Sequence, residues 1–312
     1  MRYAWSALGI VLSAISVYYF LRVAPDNLAS SVAANASAFY WAALVLLPAY
    51  ILRGVKTYVL LNEPTASKRV LVASLYASIA VNNVLPFRMG DVLRLIYLRG
   101  ALSIGLVKAT TALLFERVFD LVIILSLFML TIVALLGARG SQLLVAIVHE
   151  VPAVVLYGLI AGGLAACVGA VLLRSLAFRF AHATIGTLGL TGPRMAVFLT
   201  AAVLQWVLEI LVLGFVLSRI VPKIPTIEGL LSSFMSNLST LIPSAPGYVG
   251  TFDVAGILPF KLLSSTFEEE YALYVVLYHL VIWAFSTGLG ALAGGILLID
   301  AARSQSASGS HP

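Results

Sequence analysis

The segment from Asn82 to Arg94 carries the most concentrated polar chemistry in the 312-residue chain. It holds two amides, a proline, a glycine, an aspartate and two arginines, although 61% of the chain is hydrophobic. Helix-breaking residues at membrane depth are tolerated only where the backbone is buried in protein or lines a cavity. Charged residues there are costly and usually functional. We therefore predict a re-entrant break that forms half of a substrate-binding site, through Asn82, Asn83, Arg88, Gly90 and Arg94.

Arg88 is the leading candidate in this segment. Its planar, permanently charged guanidinium matches the geometry of a phosphate, and a broken helix offers free backbone N–H groups to the same anion. The alternative is an arginine at the inner membrane face, where basic residues accumulate. Asn82 and Asn83 either bind a head group or hydrogen-bond the backbone groups that the break exposes. Arg94 either binds the ligand or pairs with Asp91, three residues before it.

A second break runs from Pro243 to Asp253. Its residues Pro243, Gly247 and Gly250 keep the segment from continuing as a helix and let a ligand approach the backbone closely. We predict them as further substrate-binding residues. Asp253 is better suited to cap the helix that follows than to contact a phosphate, which its carboxylate would repel.

Seven polar residues in or beside apolar segments are predicted to act in gating or coupling. Glu116 and Asp120 lie four residues apart and share a helix face; with Arg117 they either brace the first break or gate it. Glu209 is the best candidate for a proton-coupling carboxylate, and a structural hydrogen bond to a neighbouring helix is its alternative. His279 either titrates near neutral pH or only packs. The full set is Asp91, Glu116, Arg117, Asp120, Glu209, Asp253 and His279.

The composition is that of a polytopic helical membrane protein. Only 10% of the residues are charged, against about 25% in soluble domains. The net charge of +6 fits inner-face loops rich in Lys and Arg and does not require a nucleic-acid partner. Cys167 is the only cysteine, so an internal disulfide is excluded. Because Walker A, zinc-ligand and Gly-x-Ser-x-Gly motifs are all missing from the sequence, we expect no cofactor, no metal and no enzyme activity.

The hydrophobic pattern predicts an all-α membrane domain over residues 1–302 and a disordered tail over 303–312. It contains six full spans of about 20 residues each or longer and two re-entrant hairpins, at about 70–99 and 227–265. The first apolar segment exceeds the 7–15 residues of a signal-peptide core, so it is predicted to be an anchored span. The six spans are Tyr3–Val23, Ala36–Leu52, Leu106–Gly137, Pro152–Leu173, Met195–Leu217 and Tyr271–Ile299.

The distribution of basic residues predicts an orientation. With the N-terminus inside, thirteen Lys and Arg residues fall on the inner face and five on the outer face. This bias requires both hairpins to be re-entrant, and it places both termini in the cytoplasm of an inner-membrane protein. Both breaks contain Pro-x-x-x-Gly and three spans separate them. The halves therefore form an inverted-topology repeat, in which paired interrupted segments indicate a transport site at the midplane.

Three motifs carry a resemblance to a known family. They are Asn-x-x-x-Pro-x-Arg-x-Gly-Asp-x-x-Arg from Asn82, Glu-Arg-x-x-Asp from Glu116, and Pro-x-x-Pro-Gly-x-x-Gly-x-Phe-Asp from Pro243. In this order and spacing they resemble the lysylphosphatidylglycerol synthase transmembrane region, or flippase-like domain, family. The resemblance implies lipid translocation. Multiple-peptide-resistance members join this region to a soluble aminoacyl-transferase domain; this chain resembles a stand-alone member without it.

Three functional hypotheses follow. The first is a translocase that moves an anionic phospholipid or a polyprenyl-phosphate-type lipid between leaflets, with the head group in a midplane cavity between the two breaks. The second is a membrane enzyme or enzyme subunit acting on a lipid-linked substrate, with Glu116, Asp120 or Glu209 as acid and base. The third is a scaffold that recruits a glycosyltransferase. The expected partners are membrane lipids with an anionic head group; a second copy of the chain or a lipid-modifying enzyme is compatible with all three hypotheses.

Overall fold

The computed structural model describes residues 28–85, 88–136, 186–240, 245–263 and 269–308. Every element within these ranges is a helix. The predicted spans Tyr3–Val23 and Pro152–Leu173 lie outside the described residues, as does Pro243.

The first half of the described chain contains five helices. After the short α1 (Leu28–Ala34) come α2 (Ser37–Leu61), α3 (Lys68–Val84), α4 (Met89–Gly100) and α5 (Leu106–Leu136). Helix α3 stops where Leu85 becomes extended, with φ −104° and ψ 142°, because a residue that precedes a proline is disfavoured in the helical region.

The second half contains α6 (Gly192–Ile220), α7 (Thr226–Ser239), α8 (Thr251–Leu263) and α9 (Glu269–Ser308). A 3₁₀ turn at Pro246–Tyr248 precedes α8. Helix α6 contains a π-helical segment, Val207–Val212, and such segments frequently mark functional sites. Helix α9 continues past Arg303 to Ser308, within the segment that the sequence predicts as a disordered tail.

Three described helices are long and apolar enough to cross a membrane: α2, α6 and the 269–302 part of α9. Helix lengths follow the same order in both halves. The sequence from α2 to α5 runs 25, 17, 12 and 31 residues, and that from α6 to α9 runs 29, 14, 13 and 40. A long helix, two short helices and a second long helix therefore occur twice, as an internal repeat requires.

The two halves are interleaved in space. Helix α9 of the second half packs along α3 of the first half, and α6 packs along α2. The short helices pair within each half, α3 with α4 and α7 with α8. Each half therefore supplies packing partners to the other.

Candidate functional site

A cavity of about 120 Å³ lies between the two halves. This is well below the ~300–1,000 Å³ of pockets that enclose a small molecule, so it has room for a head group and not for an entire lipid. Its lining brings together most of the residues predicted from the sequence: Asn82, Asn83, Arg88, Arg94, Glu116, Arg117, Asp120, Glu209, Gly247 and His279. Gly90, Asp91 and Asp253 each hydrogen-bond a residue of the lining, and Gly250 donates to Asp253.

The two breaks touch each other at this cavity. The indole Nε1 of Trp283 lies 3.5 Å from the Asn83 carbonyl oxygen. A Cβ on Gly247 would stand 2.9 Å from the same indole nitrogen and 3.2 Å from the same oxygen. Gly247 also has a φ of +62°, a region that glycine occupies without strain. A side chain at Gly247 would therefore push the two breaks apart.

Arg88 bridges the breaks and keeps unused hydrogen-bonding capacity. Its Nη2 donates to the carbonyl oxygen of Thr240 at the end of α7, and its guanidinium carbon lies 5.8 Å from the centre of the Tyr248 ring. Its Nε is buried and has no hydrogen-bond partner. Among the described residues, no carboxylate lies within ion-pair distance of it. The residue itself has a φ of +55°, which is uncommon for a side chain with a Cβ.

The other four basic residues around the cavity have carboxylate partners. Arg53 pairs with Glu209 at 2.8 Å, Lys56 with Asp120 at 2.5 Å, Arg94 with Glu116 at 3.7 Å and Arg117 with Asp91 at 3.0 Å. Within the described part of the chain, Arg88 is thus the surplus positive charge of this group. Arg88 is partly buried, and a charge withdrawn from water is costly unless it is paired, so the site favours an anion beside Arg88.

Lys56 is the centre of a buried ionic network on the α5 side. It is fully buried and also lies 3.9 Å from Glu116. Asp120 accepts a second hydrogen bond, from Trp206 Nε1 at 2.9 Å, and Arg94 donates to the Thr57 hydroxyl at 3.2 Å. Full pairing of this kind is what keeps charges tolerable at membrane depth.

These contacts correct the charge count behind the predicted orientation. Arg53, Lys56 and Arg94 were counted among the basic residues of the inner face, but the structure encloses all three in ion pairs. The prediction ended the second span at Leu52, whereas α2 runs nine residues further, to Leu61. Orientation must therefore be inferred from the remaining basic residues.

Asn82 and Gly90 hold the first break together. The Oδ1 of Asn82 accepts the Gly90 N–H at 2.7 Å, and its Nδ2 donates to Asp91 at 3.2 Å. A Cβ on Gly90 would collide with the Ser78 carbonyl oxygen and the Asn82 amide. These contacts fit the structural alternative for Asn82.

The suggested pair of Arg94 with Asp91 is not formed, because α5 supplies Arg117 to Asp91 and Glu116 to Arg94.

Asn83 faces α9 instead. Its Nδ2 donates to the hydroxyls of Ser286 at 2.8 Å and Thr287 at 2.9 Å, which ties the first break to the second half.

Glu209 lies in the π-helical segment and accepts hydrogen bonds from Gln205 at 3.3 Å and from Arg53. It is buried, and both of these hydrogen bonds go to its Oε2.

The second break is organised around Asp253. Its Oδ2 accepts the N–H of Gly250 at 2.9 Å, a cap at the start of α8. Its Oδ1 lies 2.8 Å from Nδ1 of His279, and His279 Nε2 lies 2.8 Å from the Gly247 carbonyl oxygen. His279 is therefore not a lone packing residue, as one of the alternatives had it.

The two halves place an equivalent pair at an equal spacing. Asp91 at the start of α4 contacts Arg117 of the following long helix, 26 residues later. Asp253 at the start of α8 contacts His279 of the following long helix, also 26 residues later. This equality is independent of helix lengths and supports an internal repeat.

The sequence prediction missed thirteen of the residues that line the cavity, among them Tyr50, Arg53, Trp206, Asn237 and Tyr248. The available signal was the pair Arg53 and Lys56, three residues apart and so on one helix face. It was attributed to the membrane interface. The aromatic and amide residues carried no signal that separates them from the many others in the chain.

The helices and the charged cavity define a polytopic membrane protein with an enclosed polar site. A family model described as the lysylphosphatidylglycerol synthase transmembrane region matches residues 6–290. The chain belongs to this family, a membrane domain associated with lipid-related function. No curated protein and no solved structure matches the chain.

Proposed function

We propose that the protein translocates an anionic lipid between the leaflets of a membrane, with the lipid phosphate bound at Arg88. The observation that carries this proposal is the unpaired guanidinium of Arg88, with its buried and unused Nε, at the point where both breaks meet. Arginine is suited to this task because its fork of donors matches phosphate oxygens and its charge is permanent.

The size of the cavity decides how much of a lipid enters it. A volume of about 120 Å³ admits the polar head; the acyl or prenyl tails stay in the bilayer. The other arginines of the wall, Arg53, Arg94 and Arg117, each have a carboxylate partner, which would lower the cost of moving a charged head group through the middle of the membrane. The opposed breaks, in an inverted repeat of an inner-membrane protein with cytoplasmic termini, would present the site to each leaflet in turn.

The enzyme hypothesis has no specific support at this site. Glu116, Asp120 and Glu209, its candidate acid and base groups, each lie within 4 Å of a basic residue. The scaffold hypothesis needs none of the polar contacts described here.

The test is lipid movement in vesicles containing the purified protein. Labelled phosphatidylglycerol and labelled phosphatidylcholine are followed by loss of label accessible to a membrane-impermeant quencher. Arg88→Ala should slow movement of the anionic lipid about tenfold or more, because a hydrogen bond to a charged group contributes about 1.5–3 kcal/mol. Arg88→Lys should recover part of the rate, since it restores charge without the fork.

The matched control is Arg99→Ala. Arg99 is exposed in the last turn of α4, so this variant loses the same charge without altering the cavity and should keep the wild-type rate. Equal rates for Arg88→Ala and wild type would overturn the proposal. A change in the mass of the lipid, rather than in its leaflet, would replace it with the enzyme hypothesis.

A further inference from the structure

The contacts of His279 fix how many protons this part of the second break must hold. A backbone carbonyl only accepts, so the 2.8 Å contact with the Gly247 oxygen requires a proton on Nε2. The 2.8 Å contact between Nδ1 and Asp253 requires a second proton between those two atoms. It resides either on the ring, as an imidazolium beside a carboxylate, or on the carboxyl group, as an acid beside a neutral imidazole.

Removal of one proton is incompatible with both contacts. If Nε2 keeps its proton, the Nδ1 lone pair faces a carboxylate oxygen at 2.8 Å. If the proton moves to Nδ1, the Nε2 lone pair faces the Gly247 oxygen at the same distance. Two acceptors repel at such a distance, so one of the two contacts must open whenever the pair deprotonates.

The group that would be released is part of the substrate site. Gly247 and Tyr248 form the turn before α8; the Tyr248 ring lies beside Arg88, and Gly247 lies against Asn83 of the first break. Both His279 and Asp253 are largely enclosed, with 12% and 4% of their side chains exposed. A proton that enters or leaves here therefore acts on the junction between the two breaks.

We propose that Asp253 and His279 form a proton-binding site that couples proton binding to movement of the second break. With the proton bound, His279 ties the turn to α9 and the breaks stay in contact. After proton release the remaining proton stays on Nδ1, because a hydrogen bond to the Asp253 carboxylate is stronger than one to a neutral carbonyl. The Gly247 contact then opens, the turn is freed from α9 and the breaks separate beside Arg88. The coupling to lipid movement rests on the proposed function; the proton site itself does not.

The surrounding charges do not replace His279 in this role. Among the described residues, His279 has hydrogen bonds only to Asp253 and to the Gly247 oxygen. Helices α3 and α7 line the cavity with amides and hydroxyls. The ionisable groups that line it from the other elements are Tyr50 and Arg53 of α2, Arg88 and Arg94 of the first break and α4, Glu116, Arg117 and Asp120 of α5, Glu209 of α6, and Tyr248 of the second break.

The proton site is tested without transport, by nitrogen NMR of the purified protein with ¹⁵N-labelled histidine between about pH 5 and 8. The His279 signals are those lost in His279→Gln. We expect Nε2 to carry a proton while the pair is intact, and the titration of the ring to shift in Asp253→Asn. An Nε2 without a proton, or a ring unaffected by Asp253→Asn, would overturn the proton site.

Coupling is tested in vesicles with a pH difference across the membrane. In wild-type protein the pH difference should bias labelled anionic lipid towards one leaflet. His279→Arg supplies donors to both acceptors but cannot release a proton, so the bias should be lost. Arg99→Ala should retain it. If the wild type moves lipid and His279→Arg shows the same bias, the coupling proposal is wrong and the translocase proposal stands. If the wild type moves no lipid, the translocase proposal fails, and the NMR result still decides whether the proton site exists.

Discussion

Each half of the molecule pairs an aspartate at the start of a short helix with a basic residue of the following long helix, but the basic residue differs. In the first half Asp91 meets Arg117, a cation at every physiological pH. In the second half Asp253 meets His279, whose imidazole is charged only when protonated. The buried polar contacts of the two halves differ in the same way. The first half contains an ionic network of Lys56, Asp120, Glu116 and Arg94. In the second half the Tyr274 hydroxyl contacts the Ser233 hydroxyl and the carbonyl oxygens of Gly214 and Gly229. The first half is thus held by permanently charged pairs, and the second by a histidine and neutral hydrogen bonds.

The largest effect on stability is expected from the ionic network. Lys56→Met leaves Asp120 and Glu116 without their buried cation. Removing one partner of a buried ion pair costs about 3–5 kcal/mol, so the free energy of unfolding in detergent should fall by that amount. Denaturant titration of the purified variant measures it. Arg69→Met, on the exposed start of α3, is the matched control and should be near neutral.

The corresponding change in the second half should be smaller. Tyr274→Phe removes a phenol that bonds two buried carbonyl groups, at a cost of about 1–3 kcal/mol for the groups left unsatisfied. Equal losses for Lys56→Met and Tyr274→Phe would contradict the contrast between an ionic and a neutral half. If adding Asp120→Asn to Lys56→Met recovers part of the lost free energy of unfolding, the uncompensated Asp120 carboxylate is the cause of the loss, which would strengthen the contrast.

Both breaks contain a residue with a Cβ in a left-handed backbone conformation, Arg88 in the first and Tyr248 in the second. In the second break Gly247 and Gly250 also have positive φ, which glycine adopts without strain. A left-handed conformation costs a residue with a Cβ about 1–2 kcal/mol. Arg88→Gly should therefore be more stable than Arg88→Ala by about that amount, although both lack the guanidinium. Thermal unfolding of the two variants measures this difference, and equal midpoints would show that Arg88 is not strained.

The smallest effect is expected outside the cavity, in the connector between α2 and α3. Hydrogen bonds from Thr65 and from Lys108 hold the pKa of Glu63 below its usual value. A lowered carboxyl pKa stabilises the fold at pH above the unfolded value of about 4.3 and loses that contribution as pH falls through the lower folded value.

Lys108→Ala should therefore cost about 0.2–1 kcal/mol at neutral pH, the range for exposed ion pairs. The loss should shrink in acid and at high salt, whereas the loss in Lys56→Met should be insensitive to salt. Unfolding titrations at two pH values and two salt concentrations make this comparison. A salt-sensitive Lys56→Met would show that the network is open to water.

Much of the helix pattern could be predicted from hydrophobicity and breakers. The prediction of a long helix from Leu106 is confirmed by α5, and the apolar segments around Val70 and Ile227 are short helices that end at breaks. Boundaries were less predictable. Arg53 and Lys56 suggested the end of a span, because a charge beyond an apolar run normally marks the interface.

The sequence could predict which residues form the site, but not which of them form ion pairs with one another. Arg88, Glu116, Glu209 and His279 stand out because each is costly in an apolar chain. Their partners depend on which helices pack together, and spacing alone favoured Asp91 with Arg94 rather than with Arg117. A pair separated by 156 residues, such as Arg53 and Glu209, leaves no local signal.

The equal separation of 26 residues in the two carboxylate–cation pairs has a consequence for how the chain can change over evolutionary time. One residue inserted within α9 between Glu269 and His279 would turn the imidazole by about 100° relative to the start of the helix and remove it from the carboxylate. The first turns of each long helix, before Arg117 in α5 and before His279 in α9, thus act as a spacer of fixed length. A gain or loss of length there would disconnect the break from the helix that holds it.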